Sequence, residues 1–86
     1  MQYEGYPENW DRVRNYIYSR DNYQCQRCGR RVPEVTIHCH HIKPLGIGGN
    51  NHPSNLLVLC IQCHKEVHEF KLYDEINHIA REKGIK

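Results

Sequence analysis

The sequence has little apolar material and no long apolar run. Val, Ile and Leu together number 18 of 86 residues, and Trp and Phe occur once each. No stretch approaches the roughly 18 apolar residues that a membrane-spanning helix needs, so we expect no membrane insertion. A core this thin stabilises a small domain poorly, and such domains are usually reinforced by disulfides or bound metal.

Targeting features are also lacking at the start of the sequence. The first ten residues contain neither a basic n-region nor an apolar h-region, so no secretory signal is visible. We therefore expect a cytoplasmic protein in a reducing compartment, where cysteines bind metal more often than they form disulfides. The length suits one domain, which we expect to span residues 1–86.

The charge is small in total but uneven along the chain. The formal net charge is +2, yet residues 12–31 hold six arginines against one aspartate, whereas residues 66–82 are mainly acidic. A polyanion would therefore be steered towards the N-terminal half. The alternative is that these arginines only form a solvated helix face.

Apolar spacing and turn residues predict a coarse order of elements. Trp10, Val13 and Ile17 form one apolar stripe with helical spacing. Glycine and asparagine then cluster between two β-branched or leucine-rich segments, which is typical of two short strands joined by a loop. The predicted order is a basic N-terminal helix within residues 1–24, strands at 32–42 and 56–59, a helix at 61–70, and a C-terminal helix at 73–83 within 71–86.

Four of the five cysteines form two CxxC pairs, Cys25 with Cys28 and Cys60 with Cys63. Each pair can hold two thiolates on one zinc ion, and four thiolates complete the tetrahedron of a closed structural site. The 31 residues between the pairs exceed the usual spacing of roughly 15 to 20, which indicates an inserted element. Two disulfides, or thiols without metal, are the alternatives. Cys39 is expected to be a buried free thiol.

Four histidines could contribute to a second metal site. His64 and His68 are four residues apart on a predicted helix, so both imidazoles project from one face. His40 and His41 are adjacent on a predicted strand, where neighbouring side chains point to opposite faces. One of them can therefore bind a metal while the other does chemistry. A third ligand from the strand would leave coordination positions open, as in catalytic sites.

Two points stay open from the histidine spacing alone. Cys60, Cys63, His64 and His68 could instead form one mixed site, which would leave the first cysteine pair without partners. His38 shares a strand face with the histidine two residues later. It is either an ordinary strand residue or a contact to a ligand or phosphate.

The order of these motifs resembles the HNH endonuclease family. The resemblance covers residues 25–68 and rests on CxxC at 25–28, HHIxP at 40–44, GG at 48–49, NL at 55–56 and CxxCHxxxH at 60–68. It implies a small α+β fold with a ββα-metal (His-Me finger) core, zinc-binding CxxC knuckles and flanking helices. Residues 25–70 would then hold the knuckles and the core, and the inserted element would be the nuclease hairpin.

The resemblance also implies roles for five residues. His41 would be the general base that deprotonates the attacking water, and His40, His64 and His68 would bind the catalytic divalent ion. Asn55 would hold the hairpin and keep the base oriented. Imidazole ligands suit Zn²⁺, Ni²⁺ or Mn²⁺ better than Mg²⁺. The second cofactor implied is one structural Zn²⁺ on the four cysteines.

The function implied is metal-dependent hydrolysis of double-stranded DNA to 5′-phosphate and 3′-hydroxyl ends. Phosphate contacts are expected from the basic side chains Arg12, Arg14, Arg20, Arg27, Arg30, Arg31 and Lys43. We expect weak sequence specificity or nicking by the chain alone, or specificity supplied by a protein partner. The competing functions are a zinc-stabilised DNA-binding or assembly module without activity, and a secreted domain held by disulfides.

Overall fold

The computed structural model describes residues 9–85, which form a small α+β fold. The elements follow in the order α1 (Trp10–Arg20), β1 (Ile37–His41), β2 (Leu56–Cys60), α2 (Ile61–Phe70) and α3 (Tyr73–Glu82). The predicted fold class and the predicted order of helix, hairpin and two helices are therefore confirmed. None of the helices within residues 9–85 is long and apolar enough to cross a membrane.

Helix α1 is shorter than the helix predicted within residues 1–24. It ends at Arg20, because Asn22 and Tyr23 adopt left-handed φ angles of 61° and 54° that an α-helix cannot contain. Residues 1–8 of that prediction lie outside the described range. The predicted apolar stripe does face the interior, since Ile17 is fully buried against β2.

The first CxxC pair lies in the predicted tight turn. Gly29 has a φ of 86°, and its N–H donates to the Cys25 carbonyl at 3.0 Å. The prediction of a strand from residue 32 was wrong in its first half. The Glu34 N–H donates to the Arg31 carbonyl at 2.9 Å and closes a turn there, and Pro33 has no amide hydrogen to offer a ladder.

Strands β1 and β2 form an antiparallel hairpin in which His41 pairs with Leu56. All five residues of β2 are buried, because both faces of the hairpin are covered. Leu56 and Val58 pack with α1 on one face, whereas Leu57 and Leu59 join a core with α2 and α3 on the other. This double covering explains why β2 appears as a continuous apolar run rather than an alternating pattern.

Helix α2 follows β2 without a connecting loop. Cys60 is its N-cap, and the Cys60 Sγ accepts a hydrogen bond from the Cys63 N–H at 3.4 Å. Val67 and, from α3, Ile76 are buried in the shared core. The hairpin and α2 together make the expected ββα unit. They position the three histidines and two of the four cysteines of the clusters described next, and the other two cysteines lie in the turn after α1.

Candidate active site and metal centre

The four cysteines of the two CxxC pairs meet in one cluster. Cys25 and Cys28 come from the turn after α1, whereas Cys60 and Cys63 come from the end of β2 and the first turn of α2. The four Sγ atoms lie within 4.8 Å of one another, and Cys28 Sγ is 3.7 Å from Cys60 Sγ. All five cysteines of the chain are unbridged. The alternative of two disulfides is therefore not the arrangement that the structure adopts.

Backbone amides support the sulfur atoms of this cluster. The N–H groups of Arg27 and Cys28 each donate to Cys25 Sγ at 3.4 Å. Burial opposes ionisation of Cys28, yet hydrogen bonds from Arg30 and from neighbouring thiols lower its pKa to about 6. Four converging sulfur donors with amide support fit a tetrahedral metal ion, and zinc is the ion that such a set usually holds.

Three histidines form a second, separate cluster. His40 comes from β1, and His64 and His68 lie one turn apart on α2. Their ligand nitrogens lie within 4.8 Å of one another, and the Nε2 atoms of His64 and His68 are 3.2 Å apart. The alternative of a mixed cysteine and histidine site does not form, because Cys60 and Cys63 group with the other two cysteines and His64 and His68 group with His40.

The buried member of this second cluster has a polar atom without a partner. His40 is 3% exposed, and its Nε2 has no hydrogen-bond partner among the described residues. Burial, and then the imidazoles of His64, His68 and His41, lower the pKa of His40 to about 3. A neutral imidazole with an unsatisfied nitrogen, facing two further imidazoles, fits a divalent metal ion.

The histidine cluster is open to solvent on one side. His64 is half-buried and His68 is exposed. Burial is also the main cause that lowers the pKa of His64, followed by His68 and His38. His38 is exposed, and its ring stacks on His64 with centroids 5.6 Å apart. It lies beside the cluster, but its nitrogens are not among the group that meets within 4.8 Å.

His41 points to the opposite face of β1, as the strand alternation predicts. Its Nε2 is 2.7 Å from Asn51 Oδ1 in the loop after β1. Its ring also stacks on Trp10 of α1, with centroids 5.8 Å apart and planes 12° from parallel. No motif or spacing in the sequence selects Asn51, and the helical spacing marks Trp10 only as a core residue. Both contacts join segments that are distant in sequence.

Asn55 fastens the loop between the two strands. It is 8% exposed, and its Oδ1 accepts from the Lys43 N–H at 2.8 Å. Its Nδ2 donates to the carbonyls of Lys43 at 3.0 Å and Asn50 at 2.8 Å. At Gly49, an added Cβ would meet the Lys43 carbonyl well inside contact distance. The loop that carries Asn51 is thus held tightly to the end of β1.

The basic residues selected from the sequence differ in what they contact. Arg20 donates to the Asp21 carboxylate and to two backbone carbonyls near β2, and Arg27 bonds the carboxylates of Glu66 and Glu75. Arg14 pairs with Asp11. The remaining members of the set are exposed, namely Arg12, Arg30, Arg31 and Lys43. Of these, Arg30 also bonds the Cys28 thiol, and the Arg31 guanidinium donates to the Asn22 carbonyl at 3.5 Å.

The sequence model of the HNH endonuclease family matches residues 25–70. The chain belongs to the HNH endonuclease family. The matched range contains both clusters, the hairpin and α2. The expectation drawn from the order of the motifs is therefore confirmed.

Two relatives place this domain in longer proteins. The Zorya protein ZorE of Escherichia coli strain Crooks is 40% identical over 62 residues, which cover 72% of this chain and 17% of that protein. The Type IV methyl-directed restriction enzyme EcoKMcrA of Escherichia coli K12 is 29% identical over 83 residues, covering 80% of this chain and 30% of the enzyme. The chain thus spans less than a third of either relative. No solved structure matches it.

Proposed function

We propose that the chain is a metal-dependent DNA endonuclease that hydrolyses phosphodiester bonds to 5′-phosphate and 3′-hydroxyl ends. The observation that carries the proposal is the convergence of His40, His64 and His68 within 4.8 Å. The buried His40 Nε2 without a hydrogen-bond partner supports a bound ion at that point. Membership of the HNH endonuclease family supports the same chemistry.

The two clusters would hold two different ions. The four cysteines would hold one structural Zn²⁺, because four thiolates leave no position for substrate. The three imidazoles would hold the catalytic ion and suit Zn²⁺, Ni²⁺ or Mn²⁺ better than Mg²⁺. When bound, that ion supplies positive charge that stabilises the phosphate and the leaving oxygen as negative charge develops.

His41 is the general base of this proposal. A neutral imidazole has a ring nitrogen that can take a proton from water. It accepts a proton from a water molecule as the water oxygen bonds to phosphorus, and the bond from phosphorus to the 3′ oxygen breaks. The 3′ oxygen then takes a proton from solvent. Asn55 contributes by holding the loop beside the base, through its bonds to Lys43 and Asn50.

Double-stranded DNA is the substrate of this proposal, bound mainly through its phosphates. The exposed side chains of Arg12, Arg30, Arg31 and Lys43 are suited to phosphate contacts. Arg20 and Arg27, whose side chains are only 21% exposed and pair with carboxylates of the protein, would contribute less. A relative that is named a restriction enzyme supports a DNA substrate.

The proposed setting follows from the same features. Residues 1–86 would act as one nuclease domain with weak sequence specificity or nicking activity of its own. Since both relatives are much longer, specificity from a protein partner is part of the proposal. Thiol ligands for zinc suit the reducing cytoplasm.

A plasmid-nicking assay with Mg²⁺, Mn²⁺, Ni²⁺, Co²⁺ and Zn²⁺ tests the proposal. Wild-type protein should nick with at least one ion, and His41→Ala should lose about a hundredfold or more in rate. His78→Ala is the matched control, because that exposed histidine lies on α3, outside both clusters, where its Nε2 is 3.9 Å from a Glu82 oxygen. It should nick like the wild type.

The opposite results overturn the proposal. If none of the five ions supports nicking by a folded, zinc-loaded wild-type protein, the chain is not an endonuclease on its own. If it still retards DNA in a salt-dependent way, the chain is a DNA-binding module. Equal nicking by wild type and His41→Ala would exclude His41 as the base.

A further inference from the structure

A loop asparagine outside the family motif contacts the proposed base directly. Asn51 Oδ1 lies 2.7 Å from His41 Nε2. An amide oxygen only accepts hydrogen bonds, so the ring nitrogen that faces it must carry the hydrogen. The second ring nitrogen, Nδ1, is then the one with a lone pair for a proton. The contact therefore selects one tautomer of the imidazole.

The indole of Trp10 restrains the same ring in a second direction. The rings of Trp10 and His41 stack with centroids 5.8 Å apart and planes 12° from parallel. The hydrogen bond to Asn51 lies at the edge of the imidazole, whereas the indole covers its face. Rotation of the ring about either of its side-chain torsions would break at least one of these contacts. His41 is thus held in one orientation.

The position of Asn51 is itself fixed by its loop. The neighbouring Asn50 carbonyl accepts from Asn55 Nδ2 at 2.8 Å, and the Gly49 N–H donates to the Pro44 carbonyl at 3.0 Å. Asn55 therefore acts through the backbone of the loop. Of these loop asparagines, Asn51 is the one whose side chain contacts the imidazole.

We propose that Asn51 is a positioning residue for DNA cleavage, which fixes the tautomer and direction of the His41 imidazole so that Nδ1 receives the proton of the attacking water. This role rests on the proposed function of His41 as general base. The proton moves from water to Nδ1 while the Nε2 hydrogen stays on the ring, bonded to Asn51. Asn51 itself touches neither substrate nor metal in this role.

Two substitutions at Asn51 separate the hydrogen bond from the size of the side chain. Asn51→Leu keeps a similar volume but removes the acceptor, and we expect kcat for nicking to fall about 10- to 100-fold with KM changed less than about twofold. Asn51→Asp keeps an acceptor oxygen and should recover most of the lost kcat. Asn15→Ala is the matched control, because this asparagine is exposed on α1 and lies outside the loop that carries Asn51. It should keep kcat near the wild-type value.

Nitrogen-15 NMR of the histidine rings gives a readout that does not depend on cleavage. In the wild type, the His41 shifts should show a protonated Nε2 and an unprotonated Nδ1, and Asn51→Leu should give a tautomer mixture. A His41 ring protonated on Nδ1 in the wild type overturns the inference, even if the Asn51→Leu variant does not fold.

The kinetic outcomes distinguish this inference from the proposed function. If the wild type nicks, His41→Ala does not, and Asn51→Leu nicks like the wild type, the positioning role is wrong while the general base stands. An equal loss in Asn51→Leu and Asn51→Asp would also overturn it, because the acceptor would then not matter. A wild type that never nicks overturns the proposed function and this role with it.

Discussion

The cysteine cluster and the histidine cluster share helix α2 but differ in donor number and access to water. The first gathers four sulfur donors, three of them on buried residues. The second gathers three nitrogen donors and opens to solvent through the exposed His68. Cys63 and His64 are neighbours in sequence, yet the helix turns one towards the core and the other towards β1. A single helix can therefore serve a closed site and an open site at once.

The number of donors indicates a different contribution from each cluster. Four donors complete a tetrahedron, so the energy of metal binding goes into holding the turn after α1 against β2 and α2. Three donors leave positions for water and phosphate, so under the proposed function the second ion would contribute to chemistry. Loss of the first ion should therefore unfold the chain, whereas loss of the second should only inactivate it.

Cys60→Ser should have the largest effect. Structural zinc contributes about 10–16 kcal/mol of apparent binding energy, which is as large as the total stability of a small domain. We expect the variant to lose zinc and to be mostly unfolded at 25 °C, as measured by circular dichroism and zinc quantification. Cys39→Ala is the control, because Cys39 lies outside the cluster and burial raises the pKa of its thiol to about 12. A Cys60→Ser variant with the Tm of the wild type would contradict the structural role of the cysteine cluster.

His68→Ala should separate activity from folding. Loss of a partner of a metal ligand costs about 10–100-fold in activity, and loss of a ligand should cost at least as much. Because His68 is exposed, the Tm of the zinc-loaded protein should change little. Nicking rate, zinc content and Tm are measured together. A large fall in Tm with zinc still bound would show that the histidine cluster is also structural.

Gly49→Ala should disturb the loop between β1 and β2, which carries Asn51, without releasing zinc from the cysteine cluster. The added methyl group would overlap the Lys43 carbonyl, and relief of such crowding costs about 1–3 kcal/mol. We expect a lower Tm, slower nicking and unchanged zinc content. Gly46→Ala is the matched control, since nothing lies within 4 Å of its added Cβ. Equal behaviour of the two variants would contradict this account of the loop.

The stability of protein without the second ion should fall as the pH is lowered below 6.5. Burial first, and then neighbouring imidazoles, lower the pKa of His40 to about 3, whereas the unfolded chain protonates this histidine near 6.5. Between these values the unfolded state binds more protons, so unfolding becomes easier as pH falls, by about 1 kcal/mol per pH unit. Urea unfolding at pH 6.5 and 5.5 gives the change in unfolding free energy with pH for the wild type and for His40→Phe. Any pH effect on the cysteines is common to both proteins and cancels when the two changes are compared. Equal slopes would show that His40 is not buried as a neutral group.

Arg12→Ala should have the smallest effect and should touch neither cluster. Removal of one phosphate contact lowers the slope of log affinity against log salt by about 0.9 and weakens binding only a few-fold at moderate salt. Arg81→Ala, an exposed change in the acidic C-terminal region, is the control and should leave the slope unchanged. Fluorescence anisotropy with labelled duplex DNA gives both slopes. Identical slopes for the two variants would place the DNA elsewhere.

Much of the fold could be predicted from the sequence because its signals are local. The bounds of α2 match the prediction at residues 61–70, and α3 differs by one residue at its end. Two boundaries could not be predicted. Helix α1 ends early because of left-handed residues after Arg20, and β1 begins late because Arg31 accepts turn hydrogen bonds. Such backbone choices depend on contacts that a local pattern does not contain.

The residues of the candidate site that belong to a spaced motif could be predicted from the sequence. The CxxC spacing predicts the cysteine cluster, and the four-residue spacing predicts that His64 and His68 act together. His40 as their third partner follows from the resemblance to the HNH endonuclease family. The contacts around His41 were not predictable, since Asn51 and Trp10 belong to no spacing rule and meet only through the folded hairpin. The hydrogen bond from Arg20 to the Pro53 carbonyl and the ion pair of Arg27 with Glu66 could not be predicted for the same reason.

The most direct test of the two-cluster account is a nicking titration of protein that holds about one zinc per chain, with the second divalent ion as the only variable. If the three histidines hold the catalytic ion, the protein should not nick DNA in a mild chelator. Nicking should rise and saturate with added Mn²⁺ or Ni²⁺ while the zinc content stays constant. Full nicking by the one-zinc protein in chelator would contradict it, because a closed four-cysteine site would then be the site of chemistry.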